Sequence, residues 1–193
     1  MAATQTTNDA VIVVPPKDEG KVKVVTTETG TAVFTTAPTR KVTFEVEDGG
    51  TVTSAGAPLT KAIFSFTGAG TVEITNDAIR DSKVLGGSSG DGVTLGSSAS
   101  PTDTAAKNVK IKTGEGSDTV TVQAAKAKNI KVDLGADAEI DTINVDTDIK
   151  DIKNMTIKNF GKEDTFTFKG KTFTADDLQK DNPFAPNINF KFS

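Results

Sequence analysis

Apolar and polar residues alternate over short stretches throughout the chain, as in Val42, Phe44 and Val46, or Ile130, Val132 and Leu134. This is the period of a β-strand with one buried face, because successive side chains of a strand point to opposite sides. The stretches come in pairs separated by Gly-rich or acidic turns, and the pairs recur. Each unit opens on a Lys, runs through one strand and a turn, and enters a second strand near a Thr. Examples are KVTFEVEDGGTVT from Lys41, KAIFSFTGAGTVEI from Lys61, KNVKIKTGEGSDTVTV from Lys107 and KNMTIKNFGKEDTFTF from Lys153. Units from Lys21, Lys83 and Lys128 complete a set of seven. The spacing of roughly 20–25 residues is that of a solenoid coil and too short for a helical hairpin repeat.

The expected fold is all-β: a parallel β-solenoid or β-roll of about seven coils, with two inward faces per coil and a flat core. Val22, Val42, Ala62, Val84, Val109, Ile130 and Met155 are expected to stack in one column, and Val52, Val72, Val93, Val120, Ile143 and Phe166 in the facing one. An antiparallel sandwich also offers short alternating strands, but gives no reason for similarity between units two strands apart. The repeat domain spans 21–168. Residues 1–20 form an N-terminal tail whose Ala10–Val14 stretch is a possible donor strand, halted by Pro15 and Pro16. Residues 169–193 form a C-terminal cap, with a short helix from Thr174 as N-cap to Lys180, and then Phe184, Ile188, Phe190 and Phe192 placed to cover or extend the last coil.

Composition narrows the chemistry. The chain has no Cys, His, Trp or Tyr, which removes thiol nucleophiles, disulfides and the commonest general base and transition-metal ligand. An enzyme is not expected. The formal charge of −4 disfavours nucleic acid and is compatible with divalent cations. No apolar stretch reaches the length of a membrane span, and Ala10–Val14 is too short for a signal-peptide core, so membrane insertion is not expected.

The turns carry the candidate site. TGEGSDTVT from Thr113 matches the nonapeptide G-G-x-G-x-D-x-U-x at every defined position but the first, and GGSSGDGVT from Gly86 keeps both opening glycines and the Asp. Looser copies are GADAEIDTI from Gly135 and FGKEDTF from Phe160, whereas the earlier turn TGAGT from Thr67 has no acid. Over residues 83–168 the chain resembles the repeats-in-toxin (RTX) family, exported bacterial proteins whose parallel β-rolls bind calcium between successive turns. The resemblance implies calcium as cofactor. It makes Asp91, Asp118, Asp141 and Asp164, which recur at intervals of 27, 23 and 23 residues, the principal ligands, with Glu115, Asp137 and Glu163 as possible helpers. Gly and Asp also occupy turns for conformational reasons alone, and that reading stays open.

Two other features bear on function. Outward threonines such as Thr51, Thr53, Thr119 and Thr121 form an array of the kind that can bind ice, though Thr is favoured on any exposed strand. Asp146, Asp148 and Asp151 form an acidic loop between coils, read as solvated rather than catalytic. The functional expectation is a structural protein, extracellular or at the bacterial cell surface. It self-assembles into a filament, surface layer or biofilm matrix through its solenoid ends or N-terminal strand, stabilised by calcium. The alternative is a monomeric calcium-dependent adhesin or carbohydrate-binding module of an exported protein.

Overall fold

The computed structural model describes residues 4–6, 10–14, 23–26, 31–36, 39–40, 42–46, 49–97 and 104–193, with side chains from residue 42 onward. Val22, Pro15 and Pro16 lie outside the described residues. The chain winds as a parallel β-solenoid with one short α-helix, but each turn has three faces, not two. The first sheet collects nine strands, among them Thr43–Val46, Ile63–Phe66, Lys83–Leu85, Lys110–Lys112, Lys131–Asp133 and Met155–Phe160. The second collects Gly50–Gly56, Gly70–Asn76, Asp91–Gly96, Thr119–Gln123, Thr142–Val145 and Thr165–Phe168 with three more. A third, of six very short strands, runs through Leu59–Thr60, Ala78–Arg80, Ala105–Lys107, Lys126–Lys128 and Ile152–Lys153.

Five turns visit all three sheets with side chains described, beginning at Thr43, Ile63, Lys83, Lys110 and Lys131, against seven units in the sequence. The unit from Lys21 contributes backbone strands, and the unit from Lys153 supplies the first two sheets before leaving for the cap. The tail takes part in the ladders, since Ala10–Val14 pairs in parallel with Thr31–Thr36 of the same chain.

The second-sheet column has the expected register: Val52, Val72, Val93, Val120, Ile143 and Phe166 are successive Cα partners. The first-sheet column differs at one coil. Val84 pairs with Phe64 and Ile111, two residues from its expected place. Ser82 takes the core position beside Ala62 instead, accepting the Ala62 N–H at 3.0 Å and donating to the Arg80 carbonyl at 2.8 Å. A buried hydroxyl is tolerated there because both of its capacities are used. Phe44 and Phe64 stack at 4.6 Å between ring centroids, and each such buried side chain stabilises the core by roughly 1.5–3 kcal/mol.

The corner between the third and first sheets is made by one residue in left-handed backbone: Lys61, Asp81, Asn108, Asn129 and Asn154, with φ between 52 and 58°. Asn and Asp tolerate this region better than other side chains. Here the amides also link: Asn154 Nδ2 donates to Asn129 Oδ1 at 3.0 Å, Asn129 Nδ2 to Asn108 Oδ1 at 2.9 Å, and Asn108 Nδ2 to Asp81 Oδ1 at 2.7 Å.

The C-terminal end of the core is closed. Helix Ala175–Lys180 starts from Thr174 in a capping box, in which the Thr174 hydroxyl accepts from the Asp177 N–H and the Asp177 carboxylate accepts from the Thr174 N–H. The helix buries Ala175 and Leu178. Phe184 then packs among Phe166, Phe168 and Phe173, with centroids 4.9–5.2 Å away. Strand Ile188–Phe192 extends the first sheet beside Met155–Phe160. The second sheet ends in an antiparallel edge strand, Lys171–Phe173. Among the described residues no helix is long and apolar enough to cross a membrane.

Candidate functional site

Asp91, Asp118, Asp141 and Asp164 stand in one register at the entrance to the second sheet, and all four are buried, at 1–4% exposure. The residue at the same place in the preceding turn is Gly70, where an added Cβ would lie 2.7 Å from Val46 Cγ1 and 2.8 Å from Phe66 Cδ1. The core side chains fill that space in the early turns, and the acids take it over in the later ones.

The four carboxylates form a ladder. Gly70 N–H donates to Asp91 Oδ1 at 3.2 Å, Asp91 N–H to Asp118 Oδ1 at 2.7 Å, Asp118 N–H to Asp141 Oδ1 at 2.8 Å, and Asp141 N–H to Asp164 Oδ1 at 2.9 Å. Each side chain thus satisfies the backbone of the turn before it. The second oxygens of Asp91 and Asp164 accept the N–H groups of Gly87 and Gly161 at 3.0 and 2.7 Å. Asp118 Oδ2 is buried without a hydrogen-bond partner, as is the hydroxyl of Thr113. The two fall outside hydrogen-bond geometry, although the hydroxyl is near enough to offset part of the effect of burial on Asp118.

Burial pushes the Asp91 carboxyl up to about 6 and the Asp141 carboxyl up to about 7, and neighbouring carboxylates add to both shifts. Asp118 is raised for the same first reason. Backbone N–H donors act in the opposite direction in all three without cancelling the desolvation.

The three assisting acids lie outside the ladder. Asp137 is exposed and accepts the Gly116 N–H at 3.1 Å. Glu115 is exposed, and its backbone N–H donates to the Gly87 carbonyl at 3.1 Å. Asp137, Asp141 and Asp164 share the wall of a cleft of about 240 Å³ with Glu139, Glu163 and Lys162. Asp91 and Glu115 are not part of that wall.

Calcium between successive turns requires six to eight converging oxygens. In the ladder one oxygen of every Asp is committed to a backbone N–H, and the turns stack in contact: a Cβ at Gly86 would coincide with the Thr113 carbonyl, and one at Gly135 with the Gly114 carbonyl. Among the described residues no three acids converge as a metal site would need. The unpaired Asp118 Oδ2 and the raised carboxyls are the features that a nearby cation would relieve. The cleft is where acids surround open space.

The remaining sequence features fall into place around this edge. Thr51, Thr71, Thr119, Thr142 and Thr165 occupy one outward register of the second sheet, interrupted by Gly92. Asp148 pairs with Lys169 at 3.2 Å, with both side chains about half exposed, beside a single 3-10 turn at Ile149–Asp151. The Asn ladder was not anticipated. Its signal was the Lys-Asn dipeptide that opens three units, at Asn108, Asn129 and Asn154. Comparison with protein-family models, curated proteins and solved structures gives no match for this chain.

Proposed function

We infer that the chain is a structural rather than catalytic protein: an extracellular or cell-surface solenoid that associates through its N-terminal end, with calcium adding stability at the acidic turn edge. The observation that carries this reading is the difference between the two ends. Helix Ala175–Lys180 and the Phe184 cluster close the core at the C-terminal side. The first two sheets end in Thr4–Thr6 and Ala10–Val14 on the other side and in Ile188–Phe192 and Lys171–Phe173 on this one, each paired on one edge among the described residues, so the difference lies in the helix and rings that cover the core here. An unpaired strand edge templates a further strand, and self-pairing of one end on itself closes a dimer, whereas end-to-end growth needs both ends. Association through the N-terminal strands is favoured here because the core beside them has no helix or ring cluster laid over it among the described residues.

Calcium would bind at the cleft walled by Asp137, Glu139, Asp141, Glu163 and Asp164, drawing together acids that stand apart in this structure. Electron microscopy and gel filtration of the purified protein, in calcium and in chelator, test both parts. The expected result is paired or larger particles with a higher melting temperature in calcium. A monomer with the same melting curve in both buffers overturns the reading.

A further inference from the structure

A surface of uniformly positive charge lies at another corner of the coil. The residue before the left-handed position is Arg80, Lys107, Lys128 or Lys153 in four successive turns, and these four are register partners along the third sheet. Just past the corner, Lys83, Lys110 and Lys131 are register partners along the first sheet. All seven side chains are exposed, and none forms an ion pair among the described residues. Within the two rows and the corner between them, Asp81 is the one acid among these turns, and its carboxylate accepts from Asn108.

Strands in a ladder stand ~4.8 Å apart, so two rows of like charge run along the solenoid on either side of the Asn ladder. Like charges directly opposite on adjacent strands are destabilising. A chain of net charge −4 has acids enough to interleave, as Asp133 does between Lys112 and Lys158 one position along the strands, yet none stands within these two rows. The rows therefore carry an electrostatic cost that an external anion of matching repeat would remove.

We propose that this face binds a linear acidic polysaccharide of the polyuronate class, lying along the solenoid axis. A polyuronate carries one carboxylate per sugar ring, so its charges recur at a spacing close to that of the strands. Lysine suits it, being a mobile point charge for single carboxylates rather than a rigid fork for paired oxygens. Nucleic acid fits less well. The outward positions of these strands hold no aromatic ring on which bases could stack, and the flat face offers no helix or ribbon to enter a groove. The inference does not rest on assembly: a monomer that binds leaves it standing, and an assembly that does not bind overturns it alone.

The test is calorimetric titration of the full chain with polygalacturonate at low salt, repeated at higher salt. Binding is expected, weakening as salt rises, as for any polyanion held by lysines. The variant K107Q/K128Q/K131Q should bind roughly ten-fold more weakly or worse, while K150Q/K171Q/K180Q, with the same change of charge elsewhere, should bind like the parent. Without ligand at low salt the face variant should melt at or above the parent, since repulsion has been removed. No binding, equal loss in both variants, equal binding of neutral dextran, or a face variant that melts lower overturns the proposal. Duplex DNA that outcompetes polygalacturonate overturns the choice of polysaccharide.

Discussion

At Asn129 one side chain meets two demands of the solenoid. Its backbone sits at φ 54°, and its amide both donates to Asn108 and accepts from Asn154. Replacing it with Ala removes two hydrogen bonds and leaves in left-handed backbone a residue that tolerates it less well than Asn, together about 2–3 kcal/mol. Asn129→Gly relieves the backbone and loses only the bonds, so it should cost about 1 kcal/mol less than Asn129→Ala in chemical denaturation. Equal losses would mean that the corner conformation is not what selects Asn. This residue also marks a limit of sequence reading. The Asp column was legible because Gly-Asp turns announce themselves, whereas the Lys-Asn dipeptide reads as a surface pair until the corner geometry is known. Ser82 misled for a related reason: a small hydroxyl at a core position looks like a polar outward residue, and the expected column moved to Val84.

The elements differ in how well their patterns could be read. The second sheet has strands of four to seven residues across the described turns, long enough for alternation to fix face and register. The third sheet was missed because its strands are two or three residues long and bury little more than Leu59, Ile79, Ala106, Ala127 or Ile152. A period of two cannot be recognised in so short a run. The terminal helix was legible from Thr174 and the acids after it; the hydrogen bonds from Thr174 hold the Asp177 carboxyl below its usual range. What the helix and the strand beyond it protect can be measured. Phe184 is 7% exposed against three other rings, so Phe184→Ala should cost about 3 kcal/mol. With the plug weakened, the variant should also elute larger than the parent on gel filtration. A destabilised variant that elutes like the parent would show that the cap does not limit association.

For the whole molecule, the aspartate ladder sets an unusual dependence on pH. Asp91 at about 6, Asp141 at about 7 and the raised Asp118 hold protons in the folded chain that an unfolded chain has already released. Their stabilising contribution is fully present below the unfolded carboxyl value and is lost as pH rises through 6 to 7. In chelator the protein should therefore melt higher at pH 5 than at pH 8. Asp118→Asn keeps an oxygen for the Asp91 N–H and brings an amide toward the orphaned Thr113 hydroxyl. It should raise the melting temperature at pH 8, by satisfying a polar group now left without a partner, and flatten the profile. A parent whose melting temperature rises from pH 5 to pH 8 would contradict the assignment of these carboxyls.

The register bonds that join one turn to the next all run along the axis of the coil. A load applied between the two ends acts on one turn at a time, because the outermost turn can peel from its neighbour while the ladders beneath stay paired. The closed C-terminal end, with its helix and packed rings, resists that peeling more than the open one. Under tension the chain should therefore come away in steps of one turn, from the side without the helix and rings first, which single-molecule pulling would show as evenly spaced length increments.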